Sequence, residues 1–133
     1  MSNRLFGKGR EGILDRTIDM TGDVRGVLVK SGYVFDNNDV FLSDLGSVDN
    51  GRTGTFVSKT YVFGVFDAAN VSLVALFAEE SNAIIIFQHT GSDATARLIA
   101  YIDTPESGLP CTPRAGQSVN INWDTGVNKI FKL

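Results

Sequence analysis

The sequence predicts a mainly β protein, an antiparallel β-sandwich or jelly-roll-like barrel with a short N-terminal helix or arm. Three observations predict it. About seven short runs of β-branched and aromatic residues are separated by turn signals. Only one segment has helical spacing. No helix of about ten or more residues, which a parallel β-α-β sheet needs between strands, is readable. Leu, Ile, Val and Phe make up 41 of the 133 residues, well above the roughly 20% below which a chain tends to disorder. The length suits one domain that needs no disulfide or metal to fold.

The elements follow in order. Leu5, Phe6, Gly9, Ile13 and Leu14 fall near helical spacing, with Arg4, Lys8, Arg10, Glu11 and Asp15 between them. Glycines at 7, 9 and 12 weaken that helix by nearly 1 kcal/mol each relative to Ala. Residues 1–20 are therefore expected to be an arm or helix held by packing, and 21–133 one β-sandwich. Val24 to Val29 reads as the first strand, ended by Ser31-Gly32. Asp36-Asn37-Asn38-Asp39 is a turn cluster. Val40 to Leu45 reads as a helical turn or irregular segment, and Asp49-Asn50-Gly51 as a turn.

From Thr53 to Phe66 the residues are β-formers, broken by Asp67-Ala68-Ala69-Asn70. Val71 to Phe77 follows, then a charged turn at Glu79-Glu80-Ser81-Asn82. Ala83-Ile84-Ile85-Ile86-Phe87 has no alternation, which predicts a central strand buried on both faces. Ala96 to Asp103 is a further strand. Thr104 to Gly116 holds all three prolines and reads as a loop. Val119, Ile121 and Trp123 alternate with Asn120 and Asn122 in a half-buried strand. Lys129 to Leu133 closes the chain. No linker or internal repeat is present.

Charge and cysteine content limit function. Twelve basic residues face fifteen acidic ones. No basic run offers the footprint that phosphate-backbone binding needs, so no direct nucleic-acid contact is expected. A single cysteine, Cys111, permits no internal disulfide, and nothing in the sequence pairs it with His89, the single histidine, as a thiolate base. Residues 1–19 do not resemble a signal peptide. The apolar runs are far short of the roughly 20 residues that span a bilayer. Synthesis in the cytoplasm and no membrane partner are the expectation. The sequon Asn70-Val71-Ser72 then has no role.

The motifs that might carry chemistry lack their contexts. Gly7-Lys8-Gly9-Arg10-Glu11-Gly12 matches a dinucleotide fingerprint, but only six residues precede it and no second β-α unit follows. A flexible or close-packed N-terminal segment is the simpler account of those glycines. Asp36-x-Asn38 begins like a calcium loop and fails at Val40 and Phe41. Glu79 and Glu80 are adjacent, so on an extended chain they point to opposite faces. His89 has no second histidine at metal-ligand spacing. No serine lies in a nucleophile elbow. Trp123 is expected in the core. Arg97, in an apolar strand, is expected to reach solvent over a buried stem rather than to make a paired contact. No catalytic residue, cofactor or metal is expected.

Several stretches together resemble a family of small tailed-bacteriophage virion proteins. They are Ala96 to Asp103, Gly108-Leu109-Pro110, Val119 to Asp124 and Asn128 to Leu133. Gly9-Arg10-Glu11, Ile13-Leu14, Thr17-Ile18-Asp19, Val27-Leu28-Val29 and Phe41 to Leu45 fit the same pattern in order. The resemblance covers most of the chain. Met20 stands where related proteins often carry Trp, and Cys111 where they often carry an aliphatic residue.

The resemblance implies a non-enzymatic capsid decoration, or cement, protein on the exterior of the virion head. Its partner would be the major capsid protein, and it would form a homo-oligomer, dimer or trimer, on the shell. The N-terminal arm would order on that shell, with Arg4, Phe6 and Arg10 as anchors. A tail or head–tail connector component is the alternative. A small β-sandwich enzyme or ligand-binding module is a further one, because a sandwich hosts many functions.

Overall fold

The computed structural model describes residues 4–103, 105, 107–126 and 129–133. Met1, Ser2 and Asn3 of the expected arm, Thr104 and Glu106 of the expected loop, and Val127 and Asn128 lie outside the described residues. The elements are β1 (Arg4–Leu5), α1 (Gly7–Asp15), β2 (Val24–Lys30), β3 (Asp49–Arg52), β4 (Val65–Phe66), β5 (Val71–Val74), β6 (Ser81–Gln88), β7 (Leu98–Ile102), β8 (Ser118–Ile121) and β9 (Phe131–Lys132). Short 3-10 helices cover Leu42–Val48 and Val62–Gly64. The protein is mainly β, and the arrangement is compatible with a β-sandwich-like fold.

The principal sheet is antiparallel, in the order β1-β7-β6-β2-β3. Its middle strand is β6, with Leu28 opposite Ile84 on one side and Ile102 opposite Ile84 on the other. Both faces of this sheet are covered. Leu28, Ile84, Ile86, Ile99 and Ile102 pack on one side with Phe56, Phe66, Leu73, Ile121 and Trp123. Val27, Val29, Ile85, Phe87 and Leu98 pack on the other with Phe6, Leu42, Leu45, Tyr33 and Phe35. That explains the unbroken apolar run at 83–87: successive side chains enter two different cores. Each fully buried Ile or Phe there contributes about 1.5–3 kcal/mol.

The second layer is two separate pairs, β5 with β8 and β4 with β9. In β8 the alternation Ser118, Val119, Asn120, Ile121 is exposed, buried, exposed, buried. Trp123 is buried and its Nε1–H donates to Ala69 O at 3.1 Å.

Two segments differ from the sequence expectation. Thr53 to Phe66 is not one strand; only Val65–Phe66 forms strand. Thr53 N–H bonds Gly26 O at 2.8 Å, and Thr53 Oγ1 accepts from Gly26 N–H at 2.9 Å. Phe56 N–H then reaches Val24 O at 2.8 Å and its ring turns into the core. A hydroxyl and irregular backbone bonds replace the ladder.

Asp49-Asn50-Gly51 is strand β3 rather than a turn. Gly51 sits at φ 117° and a Cβ there would meet Val74 O at 2.5 Å. The glycine is needed for the close approach of β3 to β5, not for a hairpin.

Within residues 4–15 the expected short helix, held by packing, forms as α1 behind the short strand β1. β1 pairs with β7 through Arg4 opposite Tyr101 and Leu5 opposite Ala100. Helix α1 has no side-chain N-cap and no acidic first-turn residue, so packing must hold it. Gly9 lets it touch β7: a Cβ there would lie 2.6 Å from Leu98 O and 2.7 Å from Ile99 O. Arg97 completes the attachment. It does not simply reach solvent as expected; its Nη2 donates to Lys8 O, in the helix's first turn, at 2.9 Å.

Candidate interaction surface

The expected anchors separate on inspection. Phe6 is fully buried, its N–H bonded to Ile99 O at 3.0 Å and its ring 4.8 Å from that of Phe35. It is a core residue and has no surface to offer a partner, which corrects its assignment as an anchor. Arg4 is exposed, its guanidinium 5.0 Å from the Phe35 ring centroid. Arg10 is exposed on α1. The structure does not gather the three into one patch, because Phe6 lies inside between strand and helix.

A different surface is built at residues 60–67. Thr60 and Asp67 exchange backbone bonds, N–H to O at 2.9 and 3.1 Å. Between them Gly64 N–H closes a 3-10 turn onto Tyr61 O at 3.2 Å. Gly64 lies at φ 76°, and Phe63 at φ 53°, ψ 34°. A left-handed aromatic residue is uncommon and costs about 1–2 kcal/mol. The conformation turns Phe63 outward, leaving it 94% exposed. Val62 beside it is 66% exposed and Tyr61 41%.

The turn is fastened on both sides. Tyr61 OH donates to Met20 O at 2.9 Å, and Leu133 N–H donates to Gly64 O at 2.9 Å. Burial, and second the Asp19 carboxylate, push the Tyr61 phenol up, so it stays a protonated donor.

Next to this knob lies an apolar groove of about 200 Å³. Ile13 of α1 and Met20 form one wall. Tyr61, Val65 and Phe66 form another, and Phe131 and Leu133 complete it. Its floor is rigid: the Phe66 and Phe131 rings stack with centroids 5.1 Å apart, and Tyr61 lies 6.0 Å from Phe66. The N-terminal segment therefore does contribute to a surface, through Ile13 and Met20.

A second exposed apolar group, Val74, Leu76 and Phe77, follows β5. Buried Asn50 organises it: its Oδ1 accepts from Phe77 N–H at 2.7 Å and Leu76 N–H at 3.1 Å, and its Nδ2 donates to Ser81 Oγ at 3.0 Å. Lys30 Nζ sits 4.0 Å from the Phe77 ring centroid and 3.5 Å from Glu79.

The polar residues singled out in the sequence do not converge. His89 N–H bonds Asp23 O at 2.8 Å. Cys111 exchanges backbone bonds with Ser81, and burial raises its thiol above the ordinary range, the opposite of an activated nucleophile. Among the described residues no group of three or more His, Cys, Asp or Glu side chains could hold a metal ion. Among the described residues no helix is long and apolar enough to cross a membrane.

Sequence reasoning missed Tyr61, Val62 and Phe63 because β-formers were read as strand. The available signal was Gly64, an isolated glycine inside a strand-like run, which marks a break or bulge. Comparison with protein-family models, with curated proteins and with solved structures finds no match to this chain.

Proposed function

We propose that this chain is a non-enzymatic structural protein of a tailed-phage particle. In this reading it is a capsid decoration protein that binds the outside of the head and stabilises joints between major capsid subunits. The sequence resemblance, which covers most of the chain, supports the choice of particle. The observation that carries the mode of action is the pair of preformed apolar surfaces, at Phe63 and at Phe77, on a protein whose sheet faces are both already covered. Exposed aromatic side chains held by hydrogen-bonded turns lose little freedom on docking, so most of their burial goes into affinity.

A shell adds a second factor. Each bound copy favours the assembled state by mass action, and repetition makes a modest interface effective. The test is to mix the purified protein with empty expanded heads of its own phage and image them by cryo-electron microscopy. Regular added density at subunit junctions is the expected result. Bare heads would overturn the decoration reading. Recovery of about a dozen copies or fewer per virion would then point to a connector or tail position, since closed rings have few members.

A further inference from the structure

We infer that the groove of one copy takes Phe63 of a second copy, reciprocally, in a twofold dimer. This rests on the proposal that the chain works through protein contacts, and it names the occupant of one contact surface. Knob and groove belong to the same loop. Tyr61 and Gly64 wall the groove, while Phe63 between them projects away from its own chain and leaves that groove open. A surface that carries a knob and a hole side by side is self-complementary, as an isologous interface requires.

The dimensions agree. The groove measures about 200 Å³, and a cavity of about 150 Å³ is enough to hold a benzene ring. Its walls present Ile13, Met20, Val65, Phe66 and Phe131 and no charged side chain. The polarisable thioether of Met20 suits an aromatic guest.

The area sets the strength of the contact. At 94% exposure, Phe63 offers roughly 190 Å², from the 150–250 Å² typical of aromatic side chains. Val62, Tyr61 and Leu133, at 66%, 41% and 48% exposure, bring the apolar area to roughly 450 Å² per copy. Two copies then bury on the order of 900 Å², below the roughly 1,200 Å² of a stable interface and in the range of weak, transient contacts, so the dimer is expected to be weak and reversible. Asp19, the residue before Met20, and Lys59, two before Tyr61, lie in electrostatic reach of each other, so charges of both signs flank the groove residues in sequence.

The experiment is sedimentation velocity on the purified chain from low to high micromolar concentration, wild type beside Phe63→Ser. The wild type is expected to dimerise reversibly. Phe63→Ser is expected to weaken association by about tenfold or more, with an unchanged circular dichroism spectrum. The Met20 methyl resonance is expected to shift with concentration in the wild type and to stay fixed in the variant. If Phe63→Ser folds poorly, Val62→Lys serves as the second variant, because it places a charge at the same contact.

A wild type that stays monomeric, with a Met20 resonance independent of concentration, overturns the inference. So does a folded Phe63→Ser protein that dimerises as the wild type does. The two proposals fail separately. Monomeric protein that decorates heads sinks the dimer and leaves the decoration reading standing. Dimers that leave heads bare do the reverse.

Discussion

Replacing Phe63 by glycine should leave the fold intact and make it slightly more stable. The magnitude follows from the structure. Phe63 holds φ 53°, a left-handed conformation costing about 1–2 kcal/mol for a residue with a Cβ. Glycine removes that strain and adds about 0.5–1 kcal/mol of backbone entropy loss. Only 6% of the side chain is covered, since 94% is exposed; at about 25 cal/mol per Å², roughly 12 Å² is worth about 0.3 kcal/mol. The net effect is a gain of about 0.5 kcal/mol, or roughly 2 °C in melting temperature for a chain of this size. Phe63→Ala keeps the strained φ and loses the same small area, so it should match the wild type within about 0.5 kcal/mol. The ranking is the signature: glycine above alanine, the reverse of the ordinary order. Thermal and urea melts should be run at low protein concentration, because dimerisation would stabilise the wild type by mass action. A Phe63→Gly protein less stable than Phe63→Ala would refute the reasoning. It would mean that Phe63 is not held strained and outward in solution.

Three other perturbations probe the framework. Asn50→Ala removes the acceptor of the Phe77 N–H, leaves the Leu76 N–H only its longer 3.4 Å bond to the residue 50 carbonyl, and removes the donor to Ser81 Oγ; urea melts should show a loss of about 1–3 kcal/mol. Gly9→Ala forces a Cβ to within 2.6 Å of Leu98 O, and should destabilise the whole protein by about 1–3 kcal/mol. Gly32→Ala, with nothing within 4 Å, should be near neutral; equal melting temperatures for the two variants would mean that α1 is not docked on β7. The third concerns acid. The Arg25 guanidinium beside Asp23, bonded at 2.9 Å through both Nε and Nη2, holds that carboxyl down to about 2. Its folded value lies below its unfolded one, so its stabilisation is present above about pH 4 and fades as pH falls toward 2. Asp23→Asn should flatten the pH dependence of urea stability across that window, less so at high salt because the pair is partly exposed.

The fold class and the central strand were legible because they depend on patterns that a linear chain displays. Five consecutive apolar residues at 83–87 require two cores, and β6 has them. The half-buried alternation of Val119, Ile121 and Trp123 likewise appears in β8 and just beyond it. What was not legible depends on partners distant in sequence. Thr53 and Phe56 replace ladder bonds with bonds to Gly26 and Val24, and no local rule announces that. Asn50 reads as a turn residue, since Asn-Gly favours turns, yet its amide is buried against Leu76, Phe77 and Ser81. Arg97 resembles a solvent-reaching arginine until α1 places the Lys8 carbonyl in front of it. The candidate surface was hidden for a related reason: exposed and buried aromatics have the same β propensity, and only the position of Gly64 separates them.

The N-terminal segment shows how burial relocates a functional expectation. The glycines made 1–20 read as an arm, or as a helix that only packing could hold. The same glycines let α1 lie against β7 at backbone distance, so what looked like flexibility serves close packing. Phe6 then has to be inside, since it is the residue between an edge strand and a helix on the same sheet. Once Phe6 is committed to the core, the segment's apolar contribution to the groove comes from further along. Ile13 and Met20 supply it, and they meet Tyr61, Phe131 and Leu133 there. A contact surface assembled from the two chain ends and a middle loop exists only in the folded state. It follows that a truncation of the N-terminal segment would remove the groove wall and unseat the sheet edge together, whereas single substitutions at Phe63 separate contact from folding.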